Sequence, residues 1–317
     1  LDTARVVSLP LASRFRGIDA REALLMHGTQ GWTEFSPFVE YDDAEASTWL
    51  AASLDFGWNE PPTSVRTSIR VNATLPAVGP SEVPDVLDRF PGCRTVKVKV
   101  AERGRGLADD IRRVAAARDY LGPIGRIRID ANGLWNIDEA ERAIRTLAEF
   151  DLEYAEQPCA SVGELGELRT RIADLGIPIA ADESVRKAVD PLAVARAGAA
   201  DILVVKAQPL GGVHSALRIV SQARLPVVIS SALDTSVGLA MGAFLAAAIP
   251  ELEFDCGLGT AALLAADVTD APLHPVDGSI DVRRVDVDPS LLDRFAATDE
   301  RRDWWLARLQ RCRDLLD

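Results

Sequence analysis

The sequence predicts an α/β fold: a modified (β/α)7β barrel of the TIM type with a small α+β capping domain. Three observations support it. Strand-like runs recur eight times between residues 65 and 256, and helical patterns fill the intervals. Strands that alternate with helices at a steady pitch run parallel, joined by crossover helices, and eight of them favour a closed barrel over an open sheet. A chain of 317 residues with 48% hydrophobic content can bury a core of that size.

The elements follow in order. Glu22–His27 and Trp32–Phe35 read as strands around Gly28-Thr29-Gln30-Gly31, a hairpin signal. Asp42-Asp43-Ala44-Glu45 opens an amphipathic helix running to Leu54, with acidic residues where a helix N-terminus favours them. Pro61-Pro62 marks a boundary, so residues 1–62 are expected to form the cap, 63–275 the barrel, and 276–317 a segment returning to the cap. The barrel strands are expected at Val65–Thr74, Thr95–Val100, Arg126–Asp130, Leu152–Glu156, Pro178–Asp182, Asp201–Lys206, Pro226–Ser230 and Glu251–Cys256. Helices are expected at Leu107–Tyr120, Ile137–Glu149, Val162–Leu175 and Pro191–Ala197. Val237–Ile249 is apolar but holds two glycines and is too short to cross a bilayer, so it reads as a core helix. Asp299–Leu316 is an amphipathic helix whose Trp304, Trp305, Leu306 and Leu309 should pack back on the cap or on the outside of the barrel.

Bulk properties narrow the function. A net charge of −13 argues against nucleic acid and against anionic membranes; the lysines and carboxylates at the strand ends point instead to a small-molecule carboxylate substrate. The four cysteines (93, 159, 256 and 312) are far apart with no CxxC, which suits thiols in a reducing cytoplasm. The chain opens on Leu1 with neither a methionine nor a signal-peptide pattern, and a trimmed natural N-terminus is expected. Nothing in the pattern sets an oligomeric state.

The chemistry collects at the strand ends. In Thr95–Val100 the two lysines share one face and the valines the other. A half-buried surface strand would alternate in the same way, but 31 of the 35 basic residues are arginine. Lysine, unlike arginine, can be tuned to act as a base. In barrels of this kind the site is built at the C-terminal ends of the strands. Those ends carry Lys97 and Lys99, then Asp130, Glu156, Asp182 and Lys206, 24 to 31 residues apart. Singly, each carboxylate has a plainer explanation, since Asp130 and Asp182 could cap the following helices and Glu156 could sit in a polar loop. Together they place three carboxylates in one mouth, where their repulsion calls for a divalent cation. Mg²⁺ fits, with Mn²⁺ as the alternative, and no His/Cys set suggests zinc. A cation flanked by lysines suits removal of the proton α to a carboxylate, with charge building as an enediolate.

Lys97-Val98-Lys99, Ile129-Asp130-Ala131-Asn132, Ala155-Glu156-Gln157-Pro158, Ala181-Asp182-Glu183-Ser184 and Val205-Lys206 resemble the motif set of the muconate-lactonizing subgroup of the enolase superfamily. The resemblance spans residues 65 to 260 and implies that Asp130, Glu156 and Asp182 bind the metal. It also implies that Lys99 is the acid/base and Lys206 the lysine on the opposite face. Three stretches resemble the dehydratase branch that acts in menaquinone synthesis: Gln208 to Val213, Ser230 to Gly238, and Asp255 to Thr260. By that likeness the expected reaction is syn-dehydration of 2-succinyl-6-hydroxy-2,4-cyclohexadiene-1-carboxylate to 2-succinylbenzoate. Lys99 would serve both proton steps, and Lys206 would stabilise charge by a cation–π contact. A dipeptide epimerase would show Asp-x-Asp at the eighth strand end, which Glu253-Phe254-Asp255 does not match.

Further positions carry weaker expectations. Lys97, Arg128, Gly211, Gly212, Ser230 and Ser231 are candidates for substrate contact, while Asn132 and Glu183 are candidates for supporting the ligands and lysines. Plain alternatives stand beside them: a salt bridge at Arg128, tight turns at the glycines, and caps at Asn132 and Glu183. His214 has no partner in view. Leu11–Ala20 sits where the superfamily has a mobile cap loop. The alternatives to dehydration are an N-succinylamino acid racemase, a dipeptide epimerase, or a catalytically inactive barrel acting as a binding protein. The last would be expected to lack at least one of the three carboxylates and two lysines, and none is missing.

Overall fold

The structure, a computed structural model, describes residues 4–15, 17–187 and 190–316. It opens with an antiparallel sheet: β1 (Arg5–Phe15), β2 (Ile18–Gly28) and β3 (Gly31–Phe35), with β2 in the middle. The predicted hairpin joins β2 to β3 through paired Gly28 and Gly31, and Gly31 takes φ +116°, open to glycine. The long strand β1, pairing from Arg5↔Leu25 to Phe15↔Ile18, was not foreseen. Its residues from Leu11 on belong to the stretch expected to be a mobile loop; Arg16 lies outside the described residues. Helix α1 (Asp43–Trp58) starts on Asp42, whose carboxylate accepts from Glu45 N at 2.8 Å.

The expected first barrel strand breaks in two. β4 (Ser68–Arg70) leaves the barrel to pair antiparallel with a later strand, and β5 (Ala73–Leu75) begins the barrel sheet. After α2 (Val83–Leu87), the chain alternates β6 (Thr95–Lys99), α3 (Leu107–Leu121), β7 (Arg126–Asp130), α4 (Ile137–Leu147), β8 (Leu152–Glu156) and α5 (Val162–Arg171). Next come β9 (Ile179–Ala181), α6 (Glu183–Arg186), α7 (Ala193–Arg196), β10 (Ile202–Val205), α8 (Val213–Ala223), β11 (Val227–Ile229) and α9 (Ser236–Ala248). The predicted helix at Pro191–Ala197 shrinks to the single turn α7. The starts of α4 and α5 are fixed by reciprocal caps, Asn136 with Glu139 and Ser161 with Glu164. The apolar α9 is buried nearly all round, as expected of a core helix.

Strands β5 to β11 form one parallel sheet in sequence order. The predicted eighth strand, Glu251–Cys256, is reduced to isolated bridges, Val71↔Cys256 and Ser230↔Gly257. These two residues still close the barrel, because Asn72 N donates to Cys256 O at 2.9 Å and Gly257 N to Ile229 O at 2.8 Å. The preceding residues follow Pro250, and Asp255 uses its side chain on Thr95 and Arg70. Tyr154, Ile202, Val204, Val228 and Phe254 fill the interior as a separate apolar cluster.

The chain ends with β12 (Ser279–Asp281), which pairs with β4, then α10 (Pro289–Arg294) and α11 (Asp299–Asp314). Trp305 and Leu309 of α11 bury themselves with Val6, Leu24, Phe35 and Trp49, so the last helix completes a core under the N-terminal sheet. Glu22 holds it there, accepting from Arg301 and from Trp305 Nε1. Among the described residues no helix is long and apolar enough to cross a membrane.

Candidate active site

Parallel pairing sets Lys99 opposite Asp130, and Asp130 opposite Glu156, so neighbouring strands end level at one mouth. Odd positions of β6 and even positions of β7 and β8 face inward together. All three carboxylates are buried there, at 0% exposure for Asp130 and 1% for Glu156 and Asp182. Lys99 Nζ donates to Asp130 Oδ2 at 2.5 Å and to Asn132 Oδ1 at 2.8 Å. Lys97 Nζ lies 2.9 Å from Glu156 Oε1 and 3.3 Å from Asp130 Oδ2. Asn132 takes φ +49° directly after β7, and its Nδ2 reaches Glu183 Oε1 at 3.2 Å.

Across the mouth, Lys206 Nζ donates to Asp182 Oδ2 at 2.5 Å. The other oxygen of Asp182 accepts from Arg186 at 3.1 Å, and Arg186 in turn donates to Glu183 at 2.6 Å and to Tyr41 Oη at 3.1 Å. Burial works against every charge here. At Asp130 it is outweighed by Lys99 and Lys97, which hold the carboxyl below its ordinary range. Lys206 and Arg186 do the same for Asp182, which sits at about 2. Glu156 is raised to about 7 by burial and by the charge of Asp130. Burial would lower Lys97, but Glu156 and Asp130 hold it above an ordinary lysine. Lys206 is lowered, by burial first and then by Arg186 and Lys97 against the pull of Asp182.

Three buried carboxylates on adjacent strands are a hard-oxygen donor set of the kind Mg²⁺ takes. Glu156 Oε2 is buried with no hydrogen-bond partner, as is Glu183 Oε2. A lone buried carboxylate oxygen in such a cluster is what a cation would satisfy. The remaining oxygens of the three carboxylates turn to lysine, to arginine and, at Asp130 Oδ1, to the backbone N–H of Asn132, and among the described residues no ready-made group of three metal-binding side chains appears. By donor chemistry the set fits a divalent cation.

The cavity above is lined by Lys97, Lys99, Asn132, Lys206, Ser230 and Ser231 of the expected residues, together with Asp130 and Asp182. Ser231 Oγ donates to Gly257 O at 2.7 Å. The structure also brings in residues the sequence reading missed. Phe15, Phe38, Tyr41 and Trp49 come from the N-terminal unit, and Thr74, Arg186, Leu233 and Thr260 from the barrel. Only Arg186 left a local signal, one helical turn after Asp182.

Two expectations need correction. Arg128 faces the barrel interior as parity predicted, but one step below Asp130, where it is fully buried. Its guanidinium is paired with Glu153, donates to Asn72 and to Asp255 O, and lies 4.8 Å from the Tyr154 ring. It braces the closing seam and does not line the cavity. Gly211 and Gly212 are also off the cavity. At Gly212 (φ +112°) a Cβ would come within 2.5 Å of the Asp55 carboxylate, which accepts from His214 N and meets His214 Nδ1 at 2.7 Å. Gly212 therefore makes room for a contact between α1 and α8, and His214 has a partner after all.

A capped parallel barrel with lysines facing buried carboxylates across its mouth is the enolase type of active-site scaffold. Residues 6–57 match the enolase N-terminal domain-like model and residues 86–286 the enolase C-terminal domain-like model. The chain is 54% identical over 314 residues to the o-succinylbenzoate synthase of Thermobifida fusca, covering 98% of this chain and 96% of that protein. It is 52% identical over 317 residues to that of Mycobacterium marinum, covering 100% and 95%. The chain belongs to the enolase superfamily and, within it, to the o-succinylbenzoate synthase family. Among solved structures it resembles muconate lactonizing enzyme from Pseudomonas putida (TM-score 0.76, 20% identity, 93% of this chain and 98% of that one). It also resembles 2-chloromuconate cycloisomerase from Rhodococcus opacus (TM-score 0.77, 22% identity, the same coverage). Membership of the superfamily carries dependence on a divalent metal and action on a small molecule.

Proposed function

We propose that the chain is an o-succinylbenzoate synthase, a Mg²⁺-dependent carbon–oxygen lyase of the cytoplasm. It would remove water from 2-succinyl-6-hydroxy-2,4-cyclohexadiene-1-carboxylate to give 2-succinylbenzoate for menaquinone synthesis. The observation that carries this reading is the identity of 51–54% over essentially the full chain to proteins of that name. The facing lysines and buried carboxylates of the mouth supply machinery that suits it.

Asp130, Glu156 and Asp182 are the residues that would hold Mg²⁺, and the cation would neutralise charge building on the substrate carboxylate as its α-proton leaves. The remaining work falls to the chain itself. Lys99, in its neutral form, takes the ring proton α to the carboxylate. It then returns that proton to the departing hydroxyl on the same face. One C–H and one C–O bond break, a C=C bond forms, water leaves, and Lys99 ends neutral as it began. Asp130 and Asn132 aim Lys99. Lys97, kept charged by Glu156 and Asp130, stays as a fixed cation beside the site. Lys206 acts as a cation against the opposite ring face.

One observation favours a second reading, racemisation of N-succinylamino acids: Lys206 lines the cavity across the mouth from Lys99, where a second base would reach the other face of the substrate. A single assay separates the two. Purified protein with Mg²⁺, offered the cyclohexadiene carboxylate, should form the aromatic product by ultraviolet absorbance and stop on chelation. Racemisation without dehydration would move the function to the racemase branch.

A further inference from the structure

Part of the apolar cavity wall is made from two separate parts of the chain. Ala232 and Leu233 come from the loop after β11, and Phe38 from the segment after β3. Leu233 holds φ +62°, a left-handed conformation that a branched side chain adopts only when its surroundings impose it. Arg21 of β2, itself 2% exposed, reaches the backbone of this turn. Its Nε donates to Leu233 O at 3.1 Å, and its Nη2 donates to Ala232 O at 3.4 Å, to Ser36 Oγ at 3.1 Å and to Ser36 O. The guanidinium also lies over the Phe38 ring at 4.5 Å. One side chain thus ties both halves of the wall together.

Glu34 locks the same loop from β3. Its Oε2 accepts from the backbone N–H groups of Thr235 and Gly238, both at 3.1 Å, and from the Thr235 hydroxyl, while Ser36 Oγ donates to Oε1. Gly238 is needed for this approach, because a Cβ there would lie 2.8 Å from the carboxylate. Neither Arg21 nor Glu34 lines the cavity.

We propose that Arg21 is a positioning residue for the dehydration: it fixes Ala232 and Leu233 against Phe38, and so sets the fit for the apolar part of the substrate, its ring and methylene arm. The inference rests on the dehydration reading of this cavity. Lysine at position 21 keeps the charge but loses the planar fork that reaches several acceptors at once.

The test is steady-state dehydration by the full chain with Mg²⁺ for wild type, Arg21→Lys, Leu233→Gly and the double variant, with thermal unfolding alongside. Arg21→Lys should raise KM about tenfold while kcat falls less than about threefold, a split that mere loss of folded enzyme does not produce. Glycine tolerates the positive φ at position 233, and Leu233→Gly should also raise KM. If Arg21 acts through Leu233, the double variant should exceed the larger single effect by no more than about twofold. An unchanged KM in Arg21→Lys, or two rises that multiply, would overturn the proposal while wild-type turnover keeps the dehydration reading intact. Absence of turnover in the wild type would overturn that reading and this proposal with it. Should Arg21→Lys fail to fold, an unchanged KM in Leu233→Gly would be enough to reject the role.

Discussion

On the β6 flank of the mouth, Lys97 and Lys99 hold Asp130 and Glu156, and every atom in that set comes from barrel strands and the turn after β7. On the β10 flank, Lys206 shares Asp182 with Arg186, which leans on Glu183 and, through Tyr41, on the N-terminal unit. The electrostatics differ in the same sense. Lys97 is held above an ordinary lysine by two carboxylates, whereas Lys206 is lowered by burial with Arg186 beside it. The first flank is thus set by the barrel strands and the turn after β7, with Phe15 of the N-terminal sheet only as a ring 5.8 Å from Lys99, while the second is hydrogen-bonded to the N-terminal unit through Tyr41.

That contrast can be broken or sharpened by a graded set of changes. Removing the divalent cation with a chelator should abolish dehydration, and restoring Mg²⁺ should recover it; turnover that survives exhaustive chelation would contradict the account. Lys99→Ala removes the proposed acid/base and should lower kcat by about 10³-fold or more, with the unfolding midpoint little changed. Lys206→Ala removes a charge but not the proton carrier, so a smaller loss, about 10²-fold in kcat, is expected in the same assay. Tyr41→Phe deletes only the hydroxyl that steadies Arg186, costing about 1 kcal/mol in denaturant unfolding and no more than about fivefold in rate. An equal effect of Tyr41→Phe and Lys99→Ala on kcat would erase the distinction between the flanks.

Much of this site is legible in the sequence, because its signals are local. Alternation in β6, β7 and β8 fixes which side chains face inward, and the repeat of strand and helix fixes which ends share a mouth, so Lys99, Asp130, Glu156, Asp182 and Lys206 come together. Depth was not legible. Arg128 has the parity of Asp130 yet sits a step lower, stacked beside Tyr154. Contacts between distant parts of the chain were not legible either. The glycines before α8 read as candidates for substrate contact until Asp55 of α1 is seen against Gly212. The wall of Phe15, Phe38, Tyr41 and Trp49 depends on how the N-terminal sheet lies over the barrel, which no periodicity records. The eighth strand failed for a different reason: closure needs only two backbone residues, and the apolar pattern around them serves Phe254 packing inside the barrel.

The central claim is that Lys99 moves the proton and Lys206 supplies charge. Arginine separates the two roles, since it keeps the positive charge but cannot release a proton. The measurement is kcat for dehydration by Lys99→Arg and Lys206→Arg side by side, with binding of 2-succinylbenzoate as the check on an intact cavity. The account predicts that Lys99→Arg loses about 10³-fold or more, whereas Lys206→Arg stays within about tenfold of wild type. Equal loss in both, with product binding retained, would make Lys206 a proton carrier and contradict the one-base assignment.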